Sequence, residues 1–251
     1  PSAAAALTPL LPRLSSESTI LFTQNGIGAV DEVAALFPTH AQPTYLSAIV
    51  THGVFSTGPF SATHAGVADL KIGPVSVSPT TSLPPAARWL MDTILSSEPL
   101  AATEVGAEEL LNVTLEKLVA NAVINPLTAI FRVPNGEVLD PRLTGLRKAL
   151  VAEASTVIVS HLSALRVLDA ETRERFSASR LGEMVERVCV ATSGNRSSML
   201  QDVEAGRGTE VAYINGWVVQ RGREMGVEVG VNERVLGMVE GGEVRELGKG
   251  L

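Results

Sequence analysis

The stretch EELLNVTLEKLVANAVINPLTAIF, residues 108–131, constrains this chain more than any other. Apolar residues recur at helical spacing through it, at Leu111, Leu115, Leu118 and Ala122, so it predicts one long helix. The residues between those positions are nearly all apolar too, which calls for burial on most sides. No apolar run in the chain reaches the ~18 residues that a membrane span needs. Pro126 lies inside the stretch. It lacks the N–H of the helical ladder, so it predicts a kink or a local break.

Before this helix the pattern is different. The first hundred residues alternate β-branched apolar runs (STILFT, TYLSAIVTHGVF, GVADLKIGPV) with helix-like stretches at 2–14, 30–37 and 84–97. Residues 60–73 read as a hairpin at a sheet edge, and PTTSLPPA, residues 79–86, as a turn-rich helix entry. After Thr103 the strand signals fade. Asp140–Pro141 offers an N-cap and first-turn pair for a helix reaching about Leu168. Ser177 or Ser179 starts another that ends near Gly194, and TEVAYINGWVVQRGREMG makes a further helix with Gly226 at its C′ position. A last helix begins near Asn232. The chain therefore divides near residue 100 into an α/β part, 1–100, and an all-α part, 101–251. The opening PSAAAALTPLLPRLSSES carries no acid before Glu17. It suits a transit peptide, but a short helix packed on the sheet is the reading preferred here.

Composition narrows the function classes. At 45% hydrophobic the chain can bury a substantial core. A net charge of −7, with no basic stripe interleaved with aromatics, argues against a nucleic-acid partner. The single cysteine, Cys189, sits on what looks like a buried helix face and cannot form an internal disulfide, so a reducing, cytoplasmic setting is expected. The four histidines are scattered and no metal site is expected.

Two constellations carry candidate chemistry, and one tempting motif does not. TQNGIGAVDE resembles a dinucleotide turn, but after Gly26 and Gly28 the third glycine position holds Asp31. An acid there opposes a pyrophosphate at a helix N-terminus. The first constellation is Lys117, Asn121 and Asn125, spaced i, i+4, i+8. They share one helix face and span about 12 Å, the length of a small substrate and one cofactor ring. An ordinary polar face would also produce such a stripe, though asparagine is a poor helix former with no reason to recur on an apolar helix without partners. The second is SGNRSSMLQDVEAGRGTE, which offers Asn195, Ser197, Ser198 and Glu210 among turns and helix starts. Its hydroxyls and backbone N–H groups suit a carboxylate, and they suit simple N-caps and turns as well.

KLVANAVINPLTAIFRVPNGEV followed by NRSSMLQDVEAGRGTEVAYINGWVV resembles the ketopantoate reductase (2-dehydropantoate 2-reductase) family, and TQNGIG and THGVFSTGPFSATHAGVADLKIGP resemble the end of that family's nucleotide domain. The resemblance implies a partial Rossmann-like nucleotide-binding domain followed by a helical, 6-phosphogluconate-dehydrogenase-like C-terminal domain. It implies NADPH-dependent reduction of 2-dehydropantoate to pantoate, on the route to pantothenate and coenzyme A. Carried across by position, Lys117 matches the family's proton donor. Asn121, Asn125, Asn135, Asn195, Ser197 and Ser198 match substrate contacts. Asn25, Val54 and Glu210 match cofactor contacts. A homodimer follows by analogy, in cytoplasm or mitochondrion. His52 and His64 are expected to be structural or cofactor-side, and Trp217 and Tyr213 to be core or dimer contacts. The family begins with a strand and a G-x-G-x-x-G turn that these residues do not supply. On the scale of about 30 residues per βαβ unit, roughly 60–80 residues would precede Pro1. Two alternatives stand beside the reductase: a non-catalytic remnant serving as a dimerisation or partner-binding module, and a reductase of another 2-oxo acid.

Overall fold

The computed structural model describes residues 2–75 and 82–247, so the first residues of the turn-rich stretch 79–86 lie outside the described part. The chain forms two units, one of residues 1–24 and 28–114, the other of 25–27 and 115–251.

In the first unit, helix α1 (Ala3–Leu7) starts where the Ser2 hydroxyl accepts from the Ala5 N–H at 3.2 Å. The single helix expected over 2–14 instead tightens into a 3-10 turn over Thr8–Arg13. Pro12 has no N–H to offer the carbonyl four residues back, which removes an α-helical bond there. Strand β1 (Thr19–Phe22), helix α2 (Ala29–Ala34) and strand β2 (Thr44–Val50) make a βαβ unit with parallel strands. The apolar run through 44–55 then breaks at Thr51 and His52. The Thr51 hydroxyl bonds the Asp69 carbonyl at 2.7 Å, and His52 Nε2 bonds the Leu100 carbonyl at 2.8 Å. A carbonyl partner makes Nε2 the donor, so His52 Nδ1 accepts from the Ala68 N–H at 3.1 Å and from His64 Nε2 at 3.0 Å. Both histidines therefore hold the fold, one of the roles expected for them.

Strands β3 (Gly53–Gly58) and β4 (Ser61–Gly66) form a separate two-stranded ribbon turning at Phe60, whose φ is 55°. The hairpin expected over 60–73 is thus displaced toward the N-terminus. Its second half is β5 (Leu70–Pro74), which pairs antiparallel with β2. Past helix α3 (Pro85–Leu95), a short strand β6 (Ala102–Glu104) pairs parallel with β5, completing the order β1-β2-β5-β6. The alternation of β2 and β5 puts Leu46, Ala48, Leu70 and Ile72 on one face, where Ala87 and Met91 of α3 cover them.

Helix α4 (Ala107–Phe131) opens with Glu108 and Glu109, placed favourably for the helix dipole. Leu110 and Val113 pack with Ile49, so its first turns count with the sheet and the units divide at Thr114/Leu115, later than residue 100. Beyond that point the helix is as buried as its sequence demands. From Leu118 to Phe131 every residue except Asn121 is buried. The expected break at Pro126 does not occur: the helix is continuous, and Asn215 Nδ2 donates at 2.9 Å to the Ala122 carbonyl, the acceptor that Pro126 leaves open.

The other helices of the second unit are α5 (Thr144–Ala164), α6 (Ala170–Arg175), α7 (Ala178–Ala191), α8 (Ser198–Glu204), α9 (Val211–Glu224) and α10 (Gly230–Glu240). The Asp140 side chain accepts from the Arg142 N–H at 2.8 Å and starts a 3-10 turn that leads into α5. Helix α5 ends before Leu168, with Arg166 in the left-handed region at φ 60°. Asp169 then caps the unforeseen α6 by accepting from the Thr172 N–H at 2.7 Å, and Ser177 caps α7 as expected. Helix α7 stops short of Gly194, Gly226 follows α9 at φ 68°, and α10 starts slightly ahead of Asn232. Cys189 is fully buried in α7, and burial pushes its thiol up to about 11. Trp217 is core, edge-on to His161 with ring centroids 5.3 Å apart.

Candidate active site

Lys117, Asn121 and Asn125 stand on successive turns of the unbroken helix α4. Lys117 is half-buried. Burial pushes its ammonium below the ordinary lysine range, and the carboxylate of Glu210 partly restores it. Asn121 is half-buried and Asn125 is 7% exposed. Neither directs its side-chain amide to a partner among the described residues. Amides on so buried a helix, without internal partners, are available to a polar ligand.

Glu210 occupies the N-cap position of α9, but its side chain does not bond the helix's own N–H groups. Its Oε2 accepts instead from Asn25 Nδ2 at 2.9 Å. Asn25 belongs to a three-residue segment that packs with the second unit, where the Ile27 N–H donates to the Tyr213 carbonyl at 2.9 Å. Gly26 between them has φ +81°, and a Cβ there would lie 2.3 Å from that carbonyl oxygen. In the sequence this glycine belongs to a near-miss of a phosphate turn, which Asp31 rules out. Its role in the fold is to let the chain lie against α9. The acids Asp31 and Glu32 do occupy the first turn of α2.

The other candidates divide. Asn135 is 8% exposed, donates from Nδ2 to Thr192 Oγ1 at 2.9 Å and leaves its own Oδ1 buried without a partner among the described residues. Two backbone bonds tie it to the loop before α8: Asn135 N–H to the Asn195 carbonyl at 2.9 Å, and Gly136 N–H to the Ser193 carbonyl at 3.0 Å. Asn195 and Ser198 are exposed. Ser197 is buried and already engaged. Its Oγ accepts from the Leu200 N–H at 3.0 Å and lies 2.6 Å from Thr128 Oγ1. Thr128 donates its proton to the Asn125 carbonyl at 2.8 Å, so the Ser197 hydroxyl must donate to Thr128. Ser197 thus pins the start of α8 onto the stripe helix. Thr128, three residues beyond Asn125 on the same face, escapes the sequence reading, although that spacing is a signal for it. Val54 lies in the first unit on β3, 57% exposed.

Ser197→Ala is expected to lower unfolding stability by about 1–2 kcal/mol, since it removes a cap and the proton that the Thr128 hydroxyl accepts. Ser198→Ala should stay within about 0.5 kcal/mol. Urea unfolding of the two variants compares them directly, and equal effects would sink the assignment of Ser197 as the pin.

A family model described as Ketopantoate reductase PanE/ApbA C terminal matches residues 109–243, and one described as Ketopantoate reductase PanE/ApbA matches residues 1–76. The probable 2-dehydropantoate 2-reductase of Schizosaccharomyces pombe is 35% identical over 239 residues, covering 92% of this chain and 68% of that protein. The 2-dehydropantoate 2-reductase of Vibrio cholerae is 32% identical over 228 residues, covering 91% and 70%. A ketoisovalerate reductase of Gibberella fujikuroi is 31% identical over 261 residues; the match covers 89% of this chain and 58% of that protein. Among solved structures, the probable 2-dehydropantoate 2-reductase of Bacillus subtilis matches with a TM-score of 0.68 at 26% identity, covering 95% of this chain and 73% of that one. A D-mandelate dehydrogenase solved with NADH and anilino(oxo)acetate shares the fold, with a TM-score of 0.75 at 20% identity over 95% and 72%. The chain belongs to the ketopantoate reductase family.

Proposed function

We propose that this chain reduces 2-dehydropantoate to pantoate with NADPH, Lys117 delivering the proton to the forming alkoxide. One observation carries the reading: a half-buried lysine, influenced by Glu210, heads a line of two amides that have no side-chain partner among the described residues. Reduction of a ketone leaves negative charge on oxygen, and an ammonium both neutralises it and supplies the proton. The nicotinamide supplies the hydride when bound. Asn25 and Glu210 fit its neutral carboxamide and ribose hydroxyls, being an amide and an acceptor held together at 2.9 Å. The acidic first turn of α2 does not fit its pyrophosphate. Asn121 and Asn125, with Asn135, Asn195 and Ser198, would hold the carboxylate and hydroxyl of the substrate without adding competing charge. For Ser197, whose proton is already committed, only an accepting contact remains. A homodimer is part of the proposal, since a solved ketopantoate reductase of Staphylococcus aureus is described as dimeric. So is a cytoplasmic setting; no helix of the described residues is long and apolar enough to cross a membrane.

Ketoisovalerate reductases among the relatives favour a second reading, a 2-oxo acid without the hydroxyl. Following nicotinamide absorbance, with NADPH and NADH in parallel, separates the two. The expected result is oxidation that depends on 2-dehydropantoate, with ketoisovalerate at least ~10²-fold slower, because a site built to bond a hydroxyl rejects the analogue lacking it. Equal rates would transfer the assignment to the simpler 2-oxo acid. No oxidation by a folded chain would leave the non-catalytic helical module.

A further inference from the structure

A proline inside a helix leaves the carbonyl four residues before it without a donor. In α4 that carbonyl belongs to Ala122, and it accepts from Asn215 Nδ2 of α9 at 2.9 Å. The other Nδ2 proton goes to Asn232 Oδ1 at 3.1 Å. Asn232 donates in turn to Glu153 Oε2 at 2.8 Å, and the Glu153 carboxylate accepts the backbone N–H groups of Val231 and Asn232 at 2.8 Å each. Asn215 and Asn232 are both 0% exposed. Both partners of Asn215 Nδ2 are acceptors, so the amide can face only one way. Its own Oδ1 is left buried without a partner among the described residues. A buried orphan acceptor is unfavourable, so the donated bonds are what the position is built around.

Ala122 lies on the turn that carries the helix from Asn121 to Asn125. We infer that Asn215 is a positioning residue for the Lys117–Asn121–Asn125 stripe. By occupying the carbonyl that Pro126 leaves open, it closes the turn between the two amides and keeps them in line. An ordinary residue at 126 would bond that carbonyl itself and make Asn215 dispensable there. The inference rests on the proposed function for what the amides hold.

A double-mutant cycle tests it in the full chain, with N215A, P126A and P126A/N215A. In urea, N215A is expected to lower the unfolding midpoint. It should lower it by less than half as much in the P126A background, where the backbone N–H restored at position 126 takes over the carbonyl. An N215A chain that fails to fold and is recovered by P126A is the same result in stronger form. Equal losses in both backgrounds overturn the link to the proline. In turnover at a temperature where all four chains are folded, N215A is expected to raise KM for 2-dehydropantoate at least tenfold, with P126A/N215A recovering most of it. A lowered midpoint with unchanged KM would make Asn215 merely structural and overturn the positioning role. A wild-type chain that oxidises no NADPH defeats the functional reading, and the inferred role with it. The urea cycle tells that failure apart, since it reads the coupling of Pro126 and Asn215 without turnover.

Discussion

Lys117→Met is expected to cut turnover of 2-dehydropantoate at least ~10³-fold and yet leave a chain more stable than the parent. The loss combines a general acid, ordinarily worth about 10²–10⁴-fold, with the charge that balances the alkoxide. The gain in stability follows from what holds the ammonium down. Burial pushes Lys117 below the ordinary lysine range, and Glu210 only partly restores it. Methionine fills similar space without a charge to desolvate. The pH dependence has a definite sign. Below the lowered pKa, Lys117 is charged folded and unfolded, and the burial cost is fully present. As pH rises through that pKa toward the unfolded value of 10.5, the folded chain sheds its proton first. Unfolding then takes up a proton, so stability rises with pH over that window. Activity falls over the same window, because the deprotonated amine has no proton to give. Thermal unfolding and kcat/KM, followed from about pH 7 up to 10.5, should therefore move in opposite directions in the parent. K117M should lack the stability rise. Turnover within tenfold of the parent, or an alkaline stability rise that persists in K117M, would remove Lys117 from the role of acid.

The stripe is readable from the sequence because it depends only on helical spacing and on the apolar residues around it. What is not readable depends on residues far apart in the chain. Pro126 predicts a kink or a local break, and the amide that takes up the carbonyl it leaves open is Asn215, far along the chain on α9. The hydroxyl of Ser197 looks like a ligand contact until Thr128, 69 positions away, is found beside it. Register at the sheet edge fails for a related reason. Thr51 and His52 continue the β-rich pattern, but their side chains are bound to Asp69 and Leu100, which breaks the strand and moves the ribbon to 53–66. Helix α6 is a single capped turn and a half, too short for periodicity to reveal, and only its Asp169 cap marks it. Caps with short reach, such as Ser177, are legible, since donor and acceptor are three residues apart.

Gly26→Ala is the second large effect, and it separates a backbone requirement from a motif. At φ +81° an L-residue costs about 1–2 kcal/mol. The added Cβ would also fall 2.3 Å from the Tyr213 carbonyl oxygen and 2.7 Å from its carbon. Those are backbone atoms in the first turn of α9, which cannot swing aside as a side chain can. The segment must lift, and lifting breaks the Ile27 to Tyr213 bond and carries Asn25 away from Glu210. A total loss of about 2–4 kcal/mol is expected in urea, with turnover down at least ~10-fold as Glu210 loses the amide that orients it. Gly226→Ala is the matched control. Its φ of +68° imposes the same conformational penalty, but nothing lies within 4 Å of the added Cβ. It should cost only about 1–2 kcal/mol and keep full activity. If the two alanines behave alike, left-handed strain alone accounts for Gly26, and the contact with Tyr213 has no part in presenting Asn25. If only G26A loses turnover, the glycine of the near-miss fingerprint serves the Asn25–Glu210 pair through a close approach of two backbones.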